Sequence, residues 1–169
     1  MRNNESEVFE YVVRLFENDL GVARSHVSFP QDDWSAPPVE MRLRIGERMF
    51  ALEHALIESF QGAIEAGNVE SRCLGQIERA LDSKFPQLAA CAALGDVTIL
   101  ALEYSDSILS NETVIANALE MALADRDFRP DHVFLVATGI EQEWHIHQVM
   151  AFGSFDNHLP RTAISRPSA

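Results

Sequence analysis

The stretch PPVEMRLRIGERMFALEHALIESF, residues 37–60, decides how the chain is read. Val39, Met41, Leu43 and Ile45 alternate with Glu40, Arg42 and Arg44. That is the period of a half-buried strand. Gly46-Glu47 supplies a tight turn, since glycine accepts positive φ. Residues 48–56 form the return strand, apolar on both faces apart from Glu53 and His54. A strand covered on both sides lies inside its sheet. A carboxylate there needs a partner, because an unpaired buried charge is very costly. A turn centred on Gly46-Glu47 sets Glu40 opposite Glu53, about 4.8 Å away across the ladder. A slip of one residue would put the two on opposite faces.

Working outward, Val8, Tyr11, Val12, Leu15 and Phe16 make a helical stripe over 5–19. Asn4 is its candidate cap and Gly21 its stop. Residues 22–29 hold a short strand. QDDWSAPP at 31–38 is a loop in which Trp34 is expected to anchor on the core. A helix runs from 69 to 84 on Cys73, Ile77, Ala80 and Leu81, and Pro86 breaks it or opens another turn. LAACAAL continues helically to Gly95. Residues 96–104 and 132–138 read as strands buried on both faces. Between them a helix capped by Ser110 or Asn111 runs to about 125. Residues 144–152 form a last, alternating strand. The fold class is α/β, a mixed central sheet of about five to six strands flanked by helices. The expected organisation is one domain over 1–152 and a loose tail over 153–169.

Composition narrows the function classes. The chain has 169 residues and 47% hydrophobic content, enough for one proper core. No apolar run is long enough for a membrane span, and the N-terminus lacks an apolar signal core. Cys73 and Cys91 have neither metal-site nor disulfide-framework spacing, which fits a reducing cytoplasm. Twenty-six acids face 13 bases, a net charge of −13, and every base except Lys84 is arginine. So negative a field disfavours nucleic-acid binding through a generally basic surface, though a local basic face would permit it. Partner identity and a homodimer are left open.

Glu40 and Glu53 are the first candidates for chemistry, with Glu58 close behind them. Two carboxylates facing across a ladder repel unless a cation lies between them or one keeps its proton. A hard divalent cation suits them. The alternative is an exposed Glu40 and a Glu53 paired with an arginine such as Arg42 or Arg14. Glu103, with Asp106, closes the strand over 96–104; Glu103 joins Glu53 as a ligand if their strands neighbour, or is simply an acid where the strand emerges into solvent. His145 and His147 lie two apart on a strand and could share a zinc, or stand solvated at an edge. Phosphate-loop, nucleophile-elbow and HExxH signatures are absent.

A helix, a hairpin with an acid after proline, an acid in the apolar second strand, then helix and strand resembles the PD-(D/E)xK restriction-endonuclease-like superfamily. In that resemblance PPVE at 37–40 stands for the Pro-Asp element and ALEHA at 51–55 for the (D/E)xK strand. The ALEH run followed by IE is also similar to small bacterial proteins of this fold. The resemblance covers roughly 5–138. It implies Glu40 and Glu53 as ligands of Mg²⁺ or Mn²⁺, and Glu53 with Lys84 or His54 in a hydrolytic role; Glu103 is a further candidate ligand from its strand-end position alone. The chain departs from the motif at Ala55, where the lysine should stand. Lys84, the only lysine, is the candidate to replace it from a helix. Two functions follow: a divergent metal-dependent nuclease or phosphodiesterase, or a non-catalytic protein-interaction domain with a degenerate site.

Overall fold

The structure, a computed structural model, describes residues 3–58, 67, 69–104, 112–138, 143–151 and 162–165, with side chains described for those up to 138 except near the segment ends. Helix α1 spans Asn3–Leu20, and strands β1, β2 and β3 span Arg24–Ser28, Met41–Ile45 and Arg48–Ile57. Helix α2 (Val69–Ala93) leads to β4 (Val97–Tyr104), and α3 (Glu112–Ala124) leads to β5 (His132–Ala137). Strands β6 (Glu143–Ala151) and β7 (Thr162–Ser165) follow. The seven strands form one mixed sheet in sequential order.

Strands β3, β4 and β5 are mutually parallel, and every other neighbouring pair is antiparallel. Parallel neighbours need crossovers, and α2 and α3 supply them. Both helices lie on one face, where Cys73, Ile77, Leu81, Ile115 and Leu119 pack on Ala51, Leu100, Leu102 and Leu135. On the other face α1 sets Val8, Phe9, Val12, Val13 and Phe16 against Leu43, Phe50, Leu52, Ile99 and Phe134. Odd-numbered β3 residues therefore look toward α2, and even-numbered ones toward α1.

The hairpin has the register its turn implies. Gly46 takes φ +63°, and the pairs run from Ile45 opposite Arg48 to Met41 opposite Leu52. One step further puts Glu40 beside Glu53. Because β2 begins at Met41, β3 from Glu53 onward has β4 on one side and an open notch on the other.

Four expectations change. Helix α2 continues through Pro86 instead of breaking there. Leu81, Phe85, Leu88 and Cys91 keep one buried stripe across the proline, whose ring points to solvent, so burial outweighs the lost hydrogen bond. Trp34 does not anchor its loop: it is 96% exposed. The stretch after Gly153 is not all tail, since β7 adds an outer strand that pairs Glu143 with Ser165. The α/β class holds, with a mixed central sheet flanked by helices, and β7 brings that sheet to seven strands where about five to six are expected. Ser110 and Asn111, the expected cap of α3, lie outside the described residues, as does Asp106.

Trp34→Ser should change the unfolding free energy by no more than about 0.5 kcal/mol. Phe50→Ala, at a fully buried position, should cost about 3–5 kcal/mol. Urea denaturation of both variants checks the contrast.

Candidate functional site

The notch beside β3 gathers the polar residues that the sequence singles out. Glu53 points toward α2, with its side chain 1% exposed. Lys84 is partly buried on α2, one side of the stripe that packs on the sheet. Its Nζ lies 2.5 Å from Glu40 Oε1 and 2.9 Å from Glu53 Oε2. The segment before β2, strand β3 and helix α2 thus converge on one nitrogen. The backbone completes the arrangement: His54 N–H donates to Glu40 Oε2 at 2.7 Å, and Glu40 N–H to Glu53 Oε1 at 3.3 Å. Glu40 thereby takes the place of the missing ladder partner for His54.

One ammonium faces two carboxylates, which leaves the cluster one positive charge short. Burial and the neighbouring charge of Glu40 push the Glu53 carboxyl up to about 7, against the pull of Lys84. Burial works against the charge on Lys84, but Glu53 and Glu40 outweigh it and hold its pKa above the usual range. Glu53 accordingly keeps a proton further into the neutral range than an ordinary glutamate.

His54 and Glu103 lie elsewhere. His54 faces α1, where its ring meets Phe9 edge-on. Its Nε2 pairs with Glu103 Oε2 at 2.7 Å, and Thr138 Oγ1 donates to Glu103 Oε1 at 2.7 Å. The strands of Glu103 and Glu53 do neighbour, but Glu103 is on the opposite face of the sheet. It therefore cannot serve as the expected third ligand, and the His54 ring is turned away from the carboxylate pair. The expected arginine partners of Glu53 are also engaged: Arg42 grips Asp96 at 2.6 and 2.8 Å, and Arg14 binds Glu10 at 2.8 Å. His145 and His147 lie opposite Ala137 and Leu135, and their side chains are outside the described residues.

The notch opens into a pocket of about 510 Å³. Glu40, His54, Ala55, Leu56 and Glu58 form its floor, and Glu5 stands on the α1 side. Arg72, Gln76, Arg79, Ser83 and Lys84 form the α2 wall. Glu58 N–H donates to Gln76 Oε1 at 2.9 Å and closes one end. Sequence reasoning missed Arg72, Gln76 and Arg79. Their signal was a polar stripe at i, i+4, i+7 beside the apolar stripe of α2.

Glu40 and Glu53 suit a hard cation, since Mg²⁺ is commonly held by one or two carboxylates and keeps several waters. The two oxygens such an ion would take are those that now converge on Lys84. Among the described residues no three acids, histidines or cysteines gather, so the protein would offer this pair alone.

The raised Glu53 pKa has a signed consequence for stability. An acid whose folded pKa lies above its unfolded value of about 4.5 costs nothing when protonated in both states, and costs stability as pH rises through about 7. Glu53→Gln should therefore match wild type near pH 4.5 and be the more stable by about 3 kcal/mol at pH 8. Burial pushes His132 down to about 4, which lowers stability on acidification instead. The difference between variant and wild type across pH, measured by denaturant unfolding, isolates Glu53.

No family model, no curated protein and no solved structure matches this chain.

Proposed function

We propose that the notch is a metal-assisted site for phosphodiester hydrolysis, of the divergent nuclease or phosphodiesterase kind that the restriction-endonuclease-like resemblance implies. The observation that carries this reading is the convergence of Glu40, Glu53 and Lys84 on one point, with a pocket in front of it. The order helix, hairpin, helix, strand, on which the resemblance rests, is that of α1, β2–β3, α2 and β4. Lys84 stands beside the acids from α2, and so makes good the lysine that Ala55 lacks.

Glu40 and Glu53 would hold Mg²⁺ or Mn²⁺, which when bound polarises a phosphate oxygen and acidifies a water. The chain's own groups do the rest. His54 N–H fixes the direction of Glu40. Lys84 offers a preorganised ammonium to charge that develops on phosphoryl oxygens. Burial of Glu53 removes competing water and strengthens each of these contacts. The His54 ring, held by Glu103, takes no part. Two free, buried thiols fit a reducing, cytoplasmic setting.

One observation favours a second reading. Lys84 already answers both carboxylates, so the cluster can serve as a structural brace between β3 and α2 in a non-catalytic, partner-binding domain. Calorimetric titration with Mg²⁺ and Mn²⁺, with hydrolysis of a chromogenic phosphodiester, separates the two. Wild type should bind metal, with affinity reduced about tenfold or more in Glu53→Gln. Lys84→Ala should keep metal binding and lose about 10²–10³-fold in rate. Metal binding that is absent, or equal in wild type and Glu53→Gln, overturns the hydrolytic reading and leaves the brace.

A further inference from the structure

We infer that the chain forms a two-fold dimer in which Trp34 of each copy enters an apolar groove of the other, between the loop that carries Trp34 and the C-terminal half of α2. The inference concerns a face other than the notch and does not rest on the hydrolytic reading.

Trp34 is 96% exposed, and no other large apolar side chain among the described residues is so open to solvent. Its backbone sits at φ +56°, where a bulky residue is an outlier. The loop is nonetheless well tied. Asp33 N–H donates to Phe29 O at 3.0 Å, Ser35 N–H to Pro30 O at 2.8 Å and Gln31 N–H to Val39 O at 3.0 Å. A strained backbone of this kind persists only where its surroundings fix it, and such positions cluster at ligand clamps. The ring is thus presented outward by a held loop.

A hole stands next to this knob. Ala36, Pro37 and Pro38 make one wall of a groove of about 540 Å³. Pro86 and Ala90 of α2, with Leu94 just beyond it, make the other. These three recur at i, i+4 and i+8, a second apolar stripe beside the buried one of Leu81, Phe85, Leu88 and Cys91. Leu94 is 60% exposed. In a chain of net charge −13, the described lining of the groove carries no charge. Pro38 also lines the hollow beside Trp34, so ring and groove are immediate neighbours on the surface.

Hydrogen bonding selects the occupant. Gln87 lines the same groove, and its buried Oε1 has no hydrogen-bond partner among the described residues. A buried acceptor left without a donor costs stability. An indole brings one N–H donor, no acceptor and a ring that an apolar groove covers. A purely aliphatic side chain would fill the groove and leave Gln87 unanswered.

A knob and a hole side by side on one chain are self-complementary under a two-fold axis, which uses both at once. Two indoles bury about 500 Å², and the walls they cover a similar area, together roughly the 1,000 Å² that a specific interface needs. Asp32 and Asp33 stand exposed beside the ring, so like charges oppose the contact at its rim.

Sedimentation velocity of the full chain, from micromolar to submillimolar concentration, tests the dimer. Wild type should pass from monomer to dimer, and added salt should favour the dimer, since two chains of net charge −13 repel. Trp34→Ala should weaken dimerisation about thirtyfold or more, as at a central tryptophan. Leu94→Glu sets a charge in the groove and should do the same. Both positions are exposed, so both variants keep the fold, which circular dichroism of the dilute monomer checks. Mixing the two variants tests the exchange of rings. The Trp34→Ala copy keeps its groove and the Leu94→Glu copy keeps its ring, so the mixture should form a heterodimer tighter than either variant forms with itself. Wild type that stays monomeric overturns the inference, as does a dimer that survives Trp34→Ala. Loss in both variants with no recovery in the mixture overturns it too.

Discussion

Strand β3 must be covered on both faces, and most of this structure follows from that constraint. It pairs with the hairpin partner β2 on one side and with parallel β4 on the other. The parallel pairing demands a crossover, which brings α2 over one face. Phe50 and Leu52 on the other face require α1. A strand enclosed in this way tolerates polar side chains only if each finds a partner in its own layer. Glu53 finds Lys84 and Glu40 in the α2 layer, and His54 finds Glu103 and Thr138 in the α1 layer. Adjacent residues of one strand thus nucleate two separate polar clusters, one on each side of a single sheet.

The two clusters are built differently. Glu103 is closed off: its carboxylate oxygens accept from Thr138 and face the His54 ring, and both partners are buried. That cluster satisfies its polar atoms and holds the C-terminal ends of β3, β4 and β5 together. The Glu53 cluster is one charge short and stands at the rim of a pocket. In that cluster Lys84 is the one cation facing two carboxylates, and its Nζ lies between them. This contrast, more than the presence of acids, distinguishes a candidate reaction centre from a satisfied core network.

Much of the fold was legible from local pattern. Alternation over 39–45 and the Gly46 turn set the hairpin register, and that register already placed Glu40 beside Glu53. The apolar runs at 96–104 and 132–138 announced enclosed strands, and the structure pairs them in parallel. Pro86 misled because a local rule about helix breaking met a buried stripe that continues from Leu81 to Cys91. Size and apolarity predict anchorage for Trp34, but they do not specify a neighbour, and the side chain is 96% exposed. The strand Thr162–Ser165 carried no strong alternation of its own and exists through its pairing with β6.

For the site, sequence determined which residues share a face. Strand periodicity separates Glu53 from His54, and helical periodicity groups Arg72, Gln76 and Arg79, because side-chain direction depends only on local geometry. Tertiary structure decided who meets whom. The crossover from β3 to β4 carries Lys84 back over Glu53, 31 positions away in sequence. The phase of β4 against β3 turns Glu103 to the far side of the sheet. Neither outcome is written in spacing, since both depend on how far each element slides against its neighbour before the cores close.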